Sequence, residues 1–469
     1  MPSILLVVVG VCIFTVLAHK FVIEPFLSSP LSRIPGPKTF ALTKWRLAFE
    51  DLQGTRSRKI WELHQQYGPV VRVGPKEVSF NTVSALKTIY GAGSGFERTQ
   101  FYDMFDVYGK KNLFTFYSSK DHASRKRLLA HAYSKSVVFR NENEALIQSK
   151  VADYMNHISL LKDGCDEIFS SLHYFAIDAI TDFLYGNSGR TRCLKGVKVD
   201  QALLNDIMDV SRRRLSWFAV HFPRFTKWLY SRTGIMESIA RIFYPMQMPT
   251  TYSGIREHAL LAWKTFKTTE AKKQSPDSEG PPKPRSSIIE LLWASHISNM
   301  AGGGLDDLDI ASECADHLLA GIDTTSDTLM ALIWALSRPQ NRKFQTVLMK
   351  EVDTLMPSKV SSFGMPSIVD CDKLPFLDAV IKETLRIYTP IAASQPRIPP
   401  VATYIDGYMI PPRTVVSMSP FCLHRNSAIF DDPLAFNPER WLNQPDTGSE
   451  MKKWWWAFSS GARMCIGLQ

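Results

Sequence analysis

The sequence has no cysteine framework. Its seven cysteines stand at positions 12, 165, 193, 314, 371, 422 and 465, an odd number with no repeated spacing. This excludes the staple pattern of a small secreted fold and fits a reducing compartment. No second cysteine or histidine lies in the loop around Cys465, so a local zinc site is excluded there. No nicotinamide or flavin motif is evident, so redox chemistry would draw its electrons from a separate protein. Acidic residues are the minority, 45 against 55 Lys and Arg, for a formal charge of +10. Such a balance fits a solvated surface, anionic lipid or an acidic protein partner. No compact basic-aromatic motif points to nucleic acid.

The 469 residues are 45% hydrophobic and 21% charged, ample material for a large core, and the length allows two or three domains. Residues 4–18 are an apolar run, short of the ~20 residues that a membrane span needs. Phe21, Val22 and Ile23 extend it if His19 and Lys20 snorkel. A cleavable signal peptide ending near Val16 and Ala18 is the rival reading. No Lys or Arg precedes the run, whereas Lys20, Arg33 and Lys38 follow it. That bias favours a single-pass signal anchor in the endoplasmic reticulum, with the body cytosolic. Pro25, Pro30, Pro35, Gly36 and Pro37 then read as a semi-rigid spacer. The expected organisation is an anchor over 1–24, a hinge over 25–40 and one catalytic domain over 41–469.

Within that domain, residues 58–67, 82–90, 142–161 and 166–185 carry helical apolar spacing. Residues 70–73 and 77–80 read as a hairpin around Gly74-Pro75, and 101–117 as a long aromatic loop. Residues 212–230 mix basic and bulky apolar side chains, which suits a membrane interface or, equally, a buried helix and loop. Residues 271–287 read as a surface linker. Short β-like runs at 402–405 and 414–418 flank an Asp406-Gly407 turn.

The chemistry concentrates near the carboxyl end, where residues 458–467 read Phe-Ser-Ser-Gly-Ala-Arg-Met-Cys-Ile-Gly. Gly461 and Gly467 let the backbone turn tightly and approach a flat ligand. Free N–H groups in such a loop stabilise a thiolate at Cys465. Arg463 adds a fixed charge suited to a carboxylate. A lone thiolate held this way suits haem iron better than zinc. For Cys465 taken alone, a buried structural cysteine is the competing reading. Upstream, residues 306–337 form a long helical stretch stopped by Pro339. Inside it, Ala320-Gly321-Ile322-Asp323-Thr324-Thr325 joins a glycine, which costs about 1 kcal/mol relative to Ala, to hydroxyls that compete for backbone carbonyls. A locally loosened turn is expected there, with an acid beside an alcohol to relay protons. Glu383 and Arg386 share a helix face, and Phe436-Asn437-Pro438-Glu439-Arg440-Trp441 follows.

Together, and in this order, these motifs resemble the cytochrome P-450 family, fungal microsomal type, over nearly the whole chain. The pattern Phe458, Gly461, Arg463, Cys465, Gly467 resembles the family's haem-binding loop. The resemblance implies a mainly α fold with small β-sheets, and haem b with Cys465 as the axial ligand of its iron. It implies Arg397 and Arg463 as haem propionate ligands. His122 and Lys126 fall where the family carries a Trp and an Arg for the same task, and Arg125 is placed to share it. Both replacements donate hydrogen bonds, but Lys lacks the bidentate fork of Arg. Thr324 would assist O–O cleavage and Asp323 would feed protons, which tilts the expectation toward monooxygenation. Glu383, Arg386 and Arg440 would form a buried network supporting the haem loop, with Trp441 replacing the usual Phe. His424 is expected to be structural first and a ligand second. The loop at 101–117 would cover the substrate pocket.

The implied reaction inserts one atom of O2 into an apolar small molecule, as a tailoring step in fungal secondary metabolism. Electrons would come from NADPH-cytochrome P-450 reductase, with cytochrome b5 as a second donor. Lys452, Lys453 and Arg463 would face the acidic partner. Two rivals stand beside this. Family members continue well past the cysteine, whereas only Ile466, Gly467, Leu468 and Gln469 follow it here. A C-terminal helix and strands are therefore expected to be missing, and a truncated remnant with weak or no haem binding is one alternative. A reductase-independent haem-thiolate isomerase or dehydratase is the other.

Overall fold

Apolar side chains at three- and four-residue intervals make this a mostly helical protein with few, short strands. The computed structural model describes residues 2–161, 164–243, 254–273, 287–298, 305–355, 363–442 and 450–468. At the N-terminus an α-helix, Pro2–Ala18, runs directly into a wider-wound helical segment, His19–Ser28. Ile4–Ser28 is the one described helix long and apolar enough to cross a membrane, and its most apolar window is wholly unburied. His19 and Lys20 thus do not interrupt the helix.

The proline-rich stretch that follows is docked. Leu31 and Ile34 are buried in the core. Buried Arg72 donates through Nη1 to the Pro25 carbonyl at 2.6 Å and through Nη2 to that of Pro75 at 2.8 Å. The Arg72 amide also donates to the Pro35 carbonyl at 2.8 Å. Arginine suits this task because its fork of donors satisfies several carbonyls at once.

Among the described residues seven strands form: β1 Val70–Gly74, β2 Glu77–Phe80, β3 Glu97–Arg98, β4 Arg397–Ile398, β5 Thr403–Ile405, β6 Tyr408–Ile410 and β7 Val415–Ser417. Five make a sheet in the order β1-β2-β7-β4-β3, with β2 and β7 parallel and the other pairs antiparallel. β5 and β6 form a separate hairpin across Asp406 and Gly407, both at positive φ. The run at 414–418 therefore does not pair across that turn; the three residues of β6 do so, and β7 joins the larger sheet. Residues 101–117 are more ordered than a loop. They begin with a helical turn, Gln100–Phe105, and Phe114 packs edge-on against Tyr102 and Phe105 at 5.3 and 5.2 Å. Most of 271–287 lies outside the described residues; 271–273 end the helix Gly254–Lys273.

The long helix, Asp307–Ser337, begins in a reciprocal cap. The Asp306 carboxylate accepts from the Asp309 amide at 2.8 Å, and the Asp309 carboxylate from the Asp306 amide at 3.0 Å. Its buried Ile310, Cys314, Leu318 and Ile322 pack with Ile177 and Leu184 of the helix Ile168–Tyr185 and with Ile255 and Trp263 of Gly254–Lys273. A second apolar cluster on the sheet side contains Phe80, Tyr90, Val416, Phe430 and Trp456. The segment 458–467 lies at the seam, since Trp456 belongs to the sheet-side cluster and Ile466 packs on the helical one.

The expected loosened turn in the long helix is absent, because residues 320–325 are α-helical without a break. Gly321 serves packing instead. A Cβ there would lie 2.7 Å from Ile180 Cγ1, so the bare backbone is what lets the two helices touch. The contact offsets the glycine's poor helix propensity. Gly321→Val should destabilise the protein by about 1–3 kcal/mol through overpacking, and adding Ile180→Ala should recover part of the loss. Denaturant midpoints of the two variants measure this, and an unchanged midpoint for the single variant contradicts the contact.

Candidate active site

The loop that carries Cys465 is held from below by a buried charge network. Glu383 and Arg386, on the helix Pro375–Ile387, are wholly buried. Arg386 grips Glu383 bidentately, at 2.9 Å from Nε and 2.8 Å from Nη2. Glu383 also accepts from Arg440 Nε at 3.2 Å, Trp441 Nε1 at 2.9 Å and the Asn437 amide at 2.9 Å. Trp441 thus adds a donor that a Phe would lack. The remaining Arg386 donors reach the carbonyls of His424, Pro433 and Ala435 at 2.8, 2.7 and 3.1 Å.

His424 transmits this order to the loop. Its Nδ1–H donates to the Arg386 carbonyl at 3.1 Å, and its Nε2 accepts from the Trp456 amide at 2.8 Å. That pair of bonds requires the neutral ring, and burial holds its pKa down at about 3. Both ring nitrogens of His424 are thus engaged by backbone groups, which makes its part in this network structural.

Beyond Trp456 the loop closes on itself. The Cys465 amide donates to the Phe458 carbonyl at 2.9 Å. Gly461, at φ 63°, lies where a Cβ would come within 2.4 Å of the Tyr90 carbonyl oxygen, so only glycine fits. The Cys465 side chain is open to solvent on one side. Enough protein surrounds it that burial raises the thiol pKa, opposed by a hydrogen bond from the Gly467 amide and by the charge of Lys126. Those two opposing influences would stabilise a thiolate.

Above the loop five basic groups converge. Arg98 and Arg397 stand directly opposite each other in the β3–β4 pair, and both are buried. Like charges opposed across strands are destabilising. Arg397 Nη1 donates to Tyr102 Oη at 2.6 Å, and Arg98 to the carbonyls of Leu113 and Phe114. Arg463 donates to the carbonyls of Phe116 and Tyr117 at 2.9 and 2.6 Å. Burial first, then neighbouring positive charge, lowers Arg98 to about 9, Arg463 to about 10 and buried His122 to about 3. Among the described residues none of Arg98, Arg397, Arg463 and Lys126 makes an ion pair with a carboxylate. Buried Arg98 Nε has no hydrogen-bond partner.

Two sequence expectations change in this light. Lys126 reaches the loop itself, donating to the carbonyls of Ala462 and Met464 at 3.0 Å each. Arg463 turns inward, so it does not join Lys452 and Lys453 on an outer face; Lys453 is moreover paired with Glu450 at 2.8 Å.

On the long helix, Thr324 Oγ1 donates to the Ala320 carbonyl at 2.8 Å, and Ala320 is exposed. Burial raises the Asp323 carboxyl, with His173 opposing and Asp327 reinforcing the shift. Three features escape sequence reasoning. Arg98 sits alone in its strand, with no motif to mark it. Arg125 pairs with wholly buried Glu313 at 2.5 Å, joining the helix Ser119–Leu129 to the long helix rather than sharing the cation cluster. Asp316 precedes Ala320 and Thr324 at intervals of four, a spacing that does show in the sequence.

Glu383→Ala should cost about 3–5 kcal/mol, because it leaves Arg386 buried without its counter-charge; equal unfolding free energies for variant and parent contradict the network. His424 also fixes a pH dependence. Its folded pKa of about 3 lies below its ordinary 6.5, so its contribution is complete above 6.5 and is lost as pH falls toward 3. Over that window the unfolded chain takes up the proton, at up to about 1.4 kcal/mol per pH unit. His424→Asn should flatten the acid limb of the stability profile by that slope, measured by unfolding at pH steps.

The comparisons with known proteins agree with this architecture. The cytochrome P450 family model matches residues 35–469. The cytochrome P450 monooxygenase stcB of Emericella nidulans is 32% identical over 94% of this chain and 79% of its own length. The cytochrome P450 monooxygenase aflV of Aspergillus parasiticus is 30% identical over 94% of this chain and 81% of its own. Methylphloroacetophenone oxidase of Cladonia uncialis is 27% identical over 89% of this chain and 87% of its own. A helical body with small sheets, a lone cysteine on a glycine-bounded loop and a charge network beneath it are the features of a haem-thiolate oxidoreductase that incorporates oxygen: the chain belongs to the cytochrome P450 family.

Proposed function

We propose that the Cys465 thiolate would hold the iron of haem b, that Arg98, Arg397 and Arg463 would hold its propionates with His122 beside them, and that the protein inserts one atom of O2 into an apolar small molecule as a tailoring step in fungal secondary metabolism. The observation that carries this is the convergence of buried cations without a carboxylate partner. Two propionates would supply the missing negative charge, and the orphaned Arg98 Nε offers a further donor. Exposed Ala320 leaves the long helix open on the side that Thr324 shares.

The haem, when bound, supplies the chemistry of oxygen activation. The chain's own part is to hold the thiolate with the Gly467 amide and Lys126, to keep the loop rigid and to deliver protons. Thr324 keeps its hydroxyl oriented through the Ala320 carbonyl and passes a proton toward the open face. Asp323, with its carboxyl raised, exchanges protons with solvent more readily near neutrality than an ordinary Asp. One oxygen atom enters the apolar substrate and the other leaves as water, with two protons and two electrons taken up. The electrons reach the site from NADPH through a separate reductase, with cytochrome b5 a second donor.

Lys120, Arg127 and Lys452 are exposed, and such basic groups suit an acidic reductase surface. We read Ile4–Ser28, long and apolar enough to cross a membrane, as a single-pass anchor in the endoplasmic reticulum with the body cytosolic. Exposed Phe222, Phe225 and Trp228 add a lipid-facing patch near the body's surface.

Turnover of the membrane-bound protein with reductase, NADPH and oxygen-18 gas should place one labelled atom in the product. Unlabelled product, or product formed without reductase, contradicts the reading. Thr324→Ala should keep haem content while product formed per NADPH oxidised falls about a hundredfold, the low end of the range for removing a proton-transfer group; unchanged coupling removes Thr324 from that role.

A further inference from the structure

Among the converging cations Lys126 points its charge a different way. It stands on the helix Ser119–Leu129 beside His122, Arg98, Arg397 and Arg463. Those three arginines direct donors to residues 102–117, through Tyr102 Oη and the carbonyls of Leu113, Phe114, Phe116 and Tyr117. Lys126 instead donates to the carbonyls of Ala462 and Met464, three residues and one residue before Cys465, at 3.0 Å each. Two of its three protons are used in this way. No carboxylate among the described residues pairs with it, so its charge is hydrogen-bonded but not neutralised.

The place of that charge decides what it does. The Met464 carbonyl and the Cys465 amide are one peptide unit, and the amide donates to the Phe458 carbonyl at 2.9 Å. An ammonium on the oxygen side of this unit strengthens the bond on its nitrogen side, because hydrogen bonds in series polarise one another. The two charged groups also act on each other. Burial lowers Lys126 and Cys465 counters it, while burial raises Cys465 and Lys126 is one of the two influences that counter it. Lys126 is half-buried, so solvent screens it less than the exposed Lys120 and Arg127 of the same helix. Lysine lacks the fork that suits arginine to a carboxylate, but as a compact point charge it loses nothing for this task. Positive charge beside a thiolate ligand draws density back from the metal and favours the reduced state, as outer groups around a metal-bound sulfur do.

We propose that Lys126 is a positioning residue for the sulfur ligand: its ammonium fixes the peptide that joins Met464 to Cys465, and its charge raises the reduction potential of haem held by Cys465, which eases arrival of the first electron. This deepens the reading of the site above and rests on it. Full-length holoprotein should be compared with Lys126→Arg, Lys126→Gln and Lys126→Met by spectroelectrochemical titration without substrate. Arg keeps the charge, Gln keeps a donor without the charge, and Met keeps neither. At a fixed potential the ratio of oxidised to reduced protein should rise about tenfold in the Gln and Met variants, the scale of one partly screened unit charge and about 59 mV for a one-electron couple. In Lys126→Arg the ratio should stay within about twofold of wild type, because the charge is retained. The stretching frequency of carbon monoxide on the reduced protein should fall in the two uncharged variants alone, since a sulfur freed of the neighbouring charge donates more; a purely structural clamp would not move it with charge. A potential unchanged in both uncharged variants, or shifted as far in Lys126→Arg, overturns the electrostatic role. Loss of haem from both uncharged variants also overturns it, and leaves Lys126 a clamp on the loop. Absence of a thiolate-type reduced carbon-monoxide band in wild type overturns the reading of the whole site instead, and the two failures are thereby told apart.

Discussion

Two buried arginines face each other across a short antiparallel strand pair, and much of the molecule is arranged around that opposition. Arg98 and Arg397 share a register position in β3 and β4, with Arg463 and His122 close by. Burial and mutual repulsion both work against the charged forms, which is why Arg98 and Arg463 fall to about 9 and 10. A fold does not gather such groups for stability, because an uncompensated buried charge is costly. Carbonyls of residues 113, 114, 116 and 117 supply partial compensation. Full compensation requires an anionic ligand, and a cofactor bearing two carboxylates meets that need.

The second constraint is rigidity beneath the thiol. Glu383 has five N–H donors around it, from Arg386, Arg440, Trp441 and the Asn437 backbone. Arg386 then fixes three carbonyls, His424 reads one side of that arrangement and hands it to Trp456, and Trp456 begins the cysteine loop. Each link joins a wholly buried side chain to a backbone group, so the position of Cys465 follows from the helix Pro375–Ile387 through two side chains that have no room to move. Lys126 clamps the other side through the carbonyls of Ala462 and Met464.

The cysteine loop, the long helix with its stop at Pro339 and the Glu-Arg pair were legible because each is a run of neighbouring residues whose chemistry is local. The mainly helical fold was legible for the same reason, from apolar spacing. What stayed hidden depends on distant segments meeting. Arg98 matters only because β3 lies beside β4, and nothing in residues 96–98 announces it. Arg125 looked available for the cofactor until Glu313, on another helix, claimed it. Gly321 looked like a flaw in a helix because propensity is a one-dimensional property; Ile180 shows it to be a contact. Arg463 has one sequence position but only one direction to point, and that direction is inward.

The account stands on a sulfur ligand below and carboxylate-binding cations above. Its most direct test is the reduced carbon-monoxide difference spectrum of the protein against that of Cys465→Ser, with haem content measured on both. The account predicts haem with a thiolate-type band in the parent, and loss of that band in the variant while the protein remains folded. An identical band and identical haem content in the two proteins would contradict it.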